Sequence, residues 1–397
     1  MTTHMREVVI IGAARTAIGK FGGALSAIPA HRLGATAIKG ALVRAGIEPD
    51  QIDEVYMGNV ISAGLGQAPA RQAALQAGLP PTVGAATINK VCGSGLKAVM
   101  MAAQAIRAGD ADIMVAGGME SMDLAPYLLK QARTGYRLGN GELIDAILHD
   151  GLWCSTENWH MGMAAEYIAE QFGLTRQQQD EYALGSHQKA LAAISAGRFK
   201  AEITPVEIAQ RKGPPVIFDT DECPRADTTI DALARLRPAF KEGGTVTAGN
   251  APGISDGAAA VIVCGLDVAD KLGIKPLARI VGYTHAALEP KRIFYAPVLA
   301  VRKLMQRTGE KLSDYDLIEI NEAFAAQVLA DGKDLGWDWN RVNVNGGGIA
   351  LGHPIGASGA RVLVTLLHAL ADRSAWRGLA TLCLGGGEAV AMSIERI

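Results

Sequence analysis

The chain says nearly the same thing twice, and a sequence with that property folds into two similar units. A helical stretch, Leu33–Ala45, leads through Gly46 and a short turn into IDEVYMGN (Ile52–Asn59). Far downstream, Val298–Thr308 leads through Gly309 and a turn into YDLIEINE (Tyr315–Glu322). Gly46 and Gly309 stand 263 residues apart, as do Asp53 and Asp316. Next, SGLKAV (Ser94–Val99) pairs with SGARVL (Ser358–Leu363), each opening a helix. Then MVAGGME (Met114–Glu120) pairs with LCLGGGE (Leu382–Glu388), each strand-like and ending in a glycine turn. Two unrelated α/β segments would rarely share four features in one order. Alternating strands and helices predict mostly parallel sheets covered by helices, so the fold class is α/β, built from two duplicated halves packed together.

A different region, about Ser121–Thr247, separates the halves. It holds the amphipathic stretch TRQQQDEYALGSHQKALAAISAG, with Thr175 placed as an N-cap and Gly197 as a stop. Loops such as RKGPPV surround it. The predicted organisation is 1–121 with about 248–274 as the N-terminal half, 122–247 as an insertion over one half, and 275–397 as the C-terminal half. DGAAAVIVCG reads as a strand returning to the first half.

Composition removes several classes of function. The 397 residues suffice for a large core, and 49% hydrophobic with 20% charged residues describes a globular chain. A net charge of −2 with no basic tract argues against nucleic acid and acidic membrane partners. No run reads as membrane-spanning. MTTHMREVVIIGAARTAIG lacks a signal-peptide pattern and the C-terminal Glu395-Arg396-Ile397 is no peroxisomal address, so a cytoplasmic location is expected. The five cysteines form no C-x-x-C pair, which argues against a disulfide framework or a structural zinc, and no metal site is expected. Gly12…Gly19-Lys20 has the wrong spacing for a phosphate loop, and no strong dinucleotide fingerprint is present.

Four side chains carry the chemistry. Cys92, in NKVCGSGLK, sits on a turn just before the helical run Leu96–Ala108. A helix N-terminus favours a thiolate, and free N–H groups in the turn suit an oxyanion. The plain alternative is a buried, inert cysteine. His353 lies between Gly352 and Pro354 in a glycine-rich loop that offers little to pack against, which suits a base aimed into a site better than a surface histidine. Cys383 follows the strand-like Leu379–Leu382 and precedes Gly385-Gly386-Gly387. Asn321, in NEAFA, follows the strand Leu317–Ile320 and opens what reads as a helix; a simple N-cap is its ordinary role.

Together NKVCGSGLKAV, GGMES, TVTAGNAPGISDGAAA, NEAFA, NVNGGGIALGHPIGASGAR and LCLGGGEAVAM resemble the thiolases, over essentially the whole chain and most closely the acetyl-CoA acetyltransferase group. GQAPARQ (Gly66–Gln72) and LRPAF (Leu236–Phe240) extend the match. The resemblance implies a layered αβαβα fold with an inserted loop domain. It implies that Cys92 attacks a thioester and carries the acyl group, that His353 activates it, and that Cys383 is the acid and base at the α-carbon. Asn321 would hold a water that forms one oxyanion hole with His353, and the backbone N–H groups of Cys92 and Gly385 would form the other. Coenzyme A and acyl-CoA would be substrates, with no tightly bound cofactor. The residues matching the family's CoA site are Leu152, His160, Met161, Arg225, Phe240, Ala248, Pro252, Ala323 and Phe324. Lys130–Arg137, KQARTGYR, resembles an assembly loop and implies a homo-oligomer, a tetramer in preference to a dimer.

The departures fall outside the catalytic set. Pro252 stands where serine is usual, Phe294 and Tyr295 replace smaller residues in a segment lining the acyl pocket, Gly348 replaces a common alanine, and Glu388 is at a variable position. They bear on chain length and CoA affinity. The leading expectation is reversible condensation of two acetyl-CoA. The alternatives are a 3-ketoacyl-CoA thiolase of broader chain length, a decarboxylating ketosynthase, for which Cys383 has no use, and a non-catalytic acyl-CoA carrier.

Overall fold

The computed structural model describes residues 6–397. Nine strands follow one another across its main sheet, and we number them in chain order: β1 Val8–Arg15, β2 Glu54–Gly58, β3 Gly84–Ile88, β4 Ile113–Ser121, β5 Ser255–Gly265, β6 Ala278–Ala287, β7 Leu317–Ile320, β8 Arg377–Leu384 and β9 Glu388–Arg396. The principal helices are α1 Ala30–Ala45, α2 Pro69–Gln76, α3 Ser94–Ala108, α4 Met161–Phe172, α5 Arg176–Ser195, α6 Ala296–Thr308, α7 Ala325–Leu335 and α8 Ile355–Asp372. Spatial strand order is β7-β8-β9-β6-β1-β5-β4-β2-β3. The two halves join at β1 and β6, where only Val9–Ile10 pairs with Ala278–Arg279.

The sheet is mixed, which corrects the expectation of mostly parallel strands. Parallel pairing is confined to β2 with β3, β2 with β4, and β7 with β8. The rest of the ladder is antiparallel for a local reason in each half. Gly385–Gly387 turns β8 tightly back into β9, and a short connection cannot join parallel neighbours. In the other half, β5 returns from the insertion to run between β1 and β4.

Burial divides the molecule into five layers. One face of β1, β4 and β5 packs against α1, with α2 beside it on β2 and β3. The opposite face meets α3 and α8, and these helices also cover the inner face of β8 and β9. The outer face of the C-terminal strands packs against α6 and α7. The order is therefore helix, sheet, helix, sheet, helix. By length and composition α8 is apolar enough to cross a membrane, against the expectation, yet most of it is buried as one of the two central helices.

The repeat extends to hydrogen bonds. Asp53 Oδ2 accepts from the backbone N–H groups of Asp112 and Ile113 at 2.6 and 2.9 Å. Asp316 Oδ2 accepts from those of Trp376 and Arg377 at 2.8 and 2.9 Å. One carboxylate in each half thus ties the start of one strand to the start of its parallel neighbour. These contacts correct one register. Glu54 pairs with Met114 and Leu317 with Gly378, so Met114 corresponds to Gly378 rather than to Leu382. Cys383 is then the counterpart of Met119. The shared glycines at the strand ends had drawn the sequence match four residues out of step.

Within the insertion, α5 begins at a capping box formed by Thr175 and Gln178, and Gly197 follows its end with φ of 69°. Helix α4 packs on α7, and α5 packs on α7 and on the short helix Gly348–Leu351. The insertion thereby lies against the C-terminal half and roofs the strand ends described next.

Candidate active site

Cys92 reaches its position through a strained turn. Val91 has φ of 46°, a left-handed conformation that costs a β-branched residue free energy and persists only where neighbours enforce it. They do so here: Ser94 Oγ donates to the Val91 carbonyl at 2.6 Å and accepts from the Lys90 N–H at 2.8 Å. Helix α3 starts at Ser94, so the sulfur lies two residues before its first turn.

His353 is delivered the same way, from the loop before α8. Its backbone N–H donates to Ser255 Oγ at 3.2 Å, and its ring is 8% exposed. Asn321 is fully buried, with Nδ2 at 3.4 Å from both ring nitrogens of His353. It caps no helix, because α7 starts only at Ala325 with Phe324 in the capping position. Its Oδ1 finds no partner among the described residues, which is the behaviour of a group placed for a ligand rather than for the fold. Cys383 is the last residue but one of β8, within its buried run, at 1% exposure.

Cys92, His353, Cys383 and Gly385 line one cavity of about 110 Å³. Four aromatic rings in series form part of its wall. His160 stacks on Phe240 at 4.6 Å, Phe240 meets Phe324 edge to face at 6.2 Å, and Phe324 meets Phe294 edge to face at 5.3 Å. Leu152, Met161, Pro252 and Ala323 also line the cavity. Arg225 and Ala248 lie outside this lining, side by side, with Arg225 Nη2 donating to the Ala248 carbonyl at 3.4 Å. Tyr295 points away from the pocket: its hydroxyl bonds Asp334 and its ring packs on Phe172, so of the two added aromatics only Phe294 narrows the pocket.

Two buried carboxylates hold the loops. Glu120 accepts from the N–H groups of Val60, Ile61 and Gly356 and from Asn59 Nδ2, tying β4 to the start of α8. Burial pushes its carboxyl up to about 7 against those donors. Glu322 accepts from Tyr182, Ser186, Asn343 and the Ile349 N–H, tying α5 to the loop that carries Asn321. Neither was singled out from sequence. Glu120 stood inside the GGMES match and Glu322 inside NEAFA, but nothing local marks a buried acceptor. Lys90 and Glu388, on the turns beside Cys92 and Cys383, form an ion pair between the halves.

The electrostatics favour neutral groups at rest. Burial pushes the Cys92 thiol up to about 11, opposed by the N–H groups of Gly385 and of Cys92 itself, which face the sulfur. Burial, with Arg361 as a second cause, holds His353 down at about 3. Burial raises Cys383 well above the ordinary thiol range, and Cys92 nearby adds to this. An uncharged thiol and an uncharged imidazole that line the same cavity are a pair in which the ring can take the proton as sulfur attacks. Two N–H groups aimed at the sulfur are placed to hold negative charge on an oxygen bonded next to it. A thiolate forms above its pKa, so alkylation of Cys92 by iodoacetamide, followed by peptide mapping, should keep accelerating from about pH 7 to about pH 10. A rate that levels off by about pH 8 contradicts this description of the site.

The family model for the thiolase N-terminal domain matches residues 8–267, and that for the thiolase C-terminal domain matches residues 274–396. The acetyl-CoA acetyltransferase of Pseudomonas aeruginosa is 56% identical over 392 residues, covering 99% of this chain and all of that one. An acetyl-CoA acetyltransferase of Escherichia coli K12 is 57% identical over 394 residues, with the same coverage. The crystal structure of the Bacillus anthracis acetyl-CoA acetyltransferase superposes with a TM-score of 0.97 at 46% identity, covering 99% of both chains. The chain belongs to the thiolase family and has the thiolase fold.

Proposed function

We propose that this chain is an acetyl-CoA acetyltransferase, joining two acetyl-CoA into acetoacetyl-CoA and free CoA, and running the reverse thiolysis. The observation that carries the reading is the meeting of Cys92, His353 and Cys383 around one small apolar cavity. Cys92 sulfur attacks the thioester carbonyl while its proton passes to His353. The carbon–sulfur bond to CoA breaks, and CoA leaves with the proton of Cys383, so that Cys383 is left as thiolate while His353 keeps the proton it took from Cys92. Cys383, as thiolate, then takes a proton from the α-carbon of a second acetyl-CoA. The resulting carbanion attacks the acetyl carbonyl and releases Cys92 as thiolate, which takes its proton back from His353. The negative charge of the tetrahedral species falls on the N–H groups of Cys92 and Gly385, and that of the enolate on Asn321 and His353. Removing a single donor of this kind typically costs about 3 kcal/mol in the barrier.

Coenzyme A is a substrate in this account, and no resident cofactor is invoked. Leu152, His160, Met161, Phe240, Pro252, Ala323 and Phe324 would contact the acyl and pantetheine portion near the cavity, with Arg225 and Ala248 further out. A cytoplasmic setting fits chemistry that runs on free thiols, and all five cysteines are unpaired.

The chain-length reading follows from Phe294. It is 2% exposed and closes the cavity beside Phe324. In a steady-state series of 3-ketoacyl-CoA substrates with free CoA, the four-carbon substrate should be cleaved best. Phe294→Ala should raise activity on longer chains relative to it. Equal or better cleavage of long chains by the unaltered protein would establish the broader thiolase instead.

We also infer a homotetramer. Leu138 is fully exposed and Tyr127 and Leu143 are 64% and 63% exposed, all in the loop region that includes Lys130–Arg137. A second copy would cover that apolar surface. Leu138→Asp should lower the mass measured by sedimentation, and an unchanged monomeric mass for both forms refutes the assembly.

A further inference from the structure

Ser358 sits in the first turn of α8, one position before the glycine of its S-G motif, and is 1% exposed. Its hydroxyl makes two contacts. Oγ donates to the Pro354 carbonyl at 2.8 Å and lies 2.6 Å from His353 Nδ1. A serine bonding the carbonyl four residues back is an ordinary helix feature. The second contact is not, and its direction is fixed by the first. A hydroxyl has one proton, and here the carbonyl takes it. What faces Nδ1 is therefore a lone pair, and Nδ1 must carry the ring proton. Nε2 is left bare, with its lone pair available to accept a proton.

The equivalent position in the other half, Ser94, is used differently but to a parallel end. Its hydroxyl braces the strained turn at Val91 that carries Cys92. The duplicated S-G motif thus places one hydroxyl behind each loop of the site.

We propose that Ser358 is a positioning residue that fixes His353 in the Nδ1–H tautomer, leaving Nε2 as the base for Cys92. This rests on His353 being that base. With the hydroxyl gone, the ring proton is free to move to Nε2, and a ring protonated there cannot accept the thiol proton. The role is specific to orientation and tautomer, so it should leave substrate binding alone.

The test combines nitrogen spectroscopy and kinetics. In protein labelled with ¹⁵N-histidine, two-dimensional N–H correlation should show the Nδ1–H pattern for His353, and Ser358→Ala should lose it. Ser358→Ala should slow acetylation of Cys92 by acetyl-CoA roughly a hundredfold, with KM changed less than about twofold. Ser358→Thr should restore most of the rate and the pattern. If the alanine variant does not fold, Ser358→Val and Ser358→Thr, close in shape, carry the same comparison. Wild-type acetylation in the hydroxyl-free variant, or an Nε2–H pattern in the unaltered protein, overturns the proposal. His353→Gln separates this from failure of the base assignment: undiminished acetylation there removes the base itself, whereas its loss beside an unaffected Ser358→Ala removes only the tautomer role.

Discussion

The site exists because two helices touch backbone to backbone. A Cβ on Gly95 would lie 2.7 Å from the Ala360 nitrogen, and a Cβ on Gly359 would lie 2.5 Å from the Leu96 nitrogen. Real Cβ atoms do not approach that closely, so only glycine permits the crossing of α3 and α8 at their first turns. Gly95 and Gly359 are the same residue of the S-G motif in the two halves. The loop just before each helix carries one side chain of the cavity: Cys92 before α3, His353 before α8. Bringing the first turns of the helices into contact therefore brings the proposed nucleophile to its proposed base across more than half the chain.

Around that contact the surroundings are apolar where the substrate sits and polar in the backbone behind it. Desolvation raises both thiols and lowers the imidazole, so no charge stands in the cavity at rest. Charge that appears during reaction meets fixed N–H donors with little water to compete, which is where such donors act most strongly. Glu120 and Glu322 hold the loops that carry His353 and Asn321, each with four donors. Both tie elements distant in sequence, so the loops are held rigidly while the acyl pocket stays small.

Much of this was legible in the chain. The repeat announced two halves, and the turn context of Cys92 and the glycine-rich loop of His353 marked both as aimed at something. The direction of the strands was not legible, because pairing depends on how the insertion returns and on a tight glycine turn. The register of the last repeat was misread for a related reason: glycines at strand ends look alike in sequence, whereas hydrogen-bond partners do not. Asn321 reads as an N-cap because asparagine after a strand and before a helix is ordinary; only three dimensions show its amide over the imidazole. Tyr295 stood beside Phe294 in sequence but on the other side of the chain's local twist. Ser358 was visible only as a helix opener, since a contact to His353 depends on how Pro354 and Ile355 turn the chain.

The most direct test of the central claim is the rate at which acetyl-CoA acetylates Cys92 when the crossing is forced apart. Rapid-quench intact-mass analysis with peptide mapping would follow a single acetyl group on the unaltered protein and on Gly95→Ala and Gly359→Ala. The account predicts acetylation at Cys92 in the first and a steep loss in both variants, with the thiol still present. Undiminished acetylation in both alanine variants, or an acetyl group carried by another residue, would contradict it.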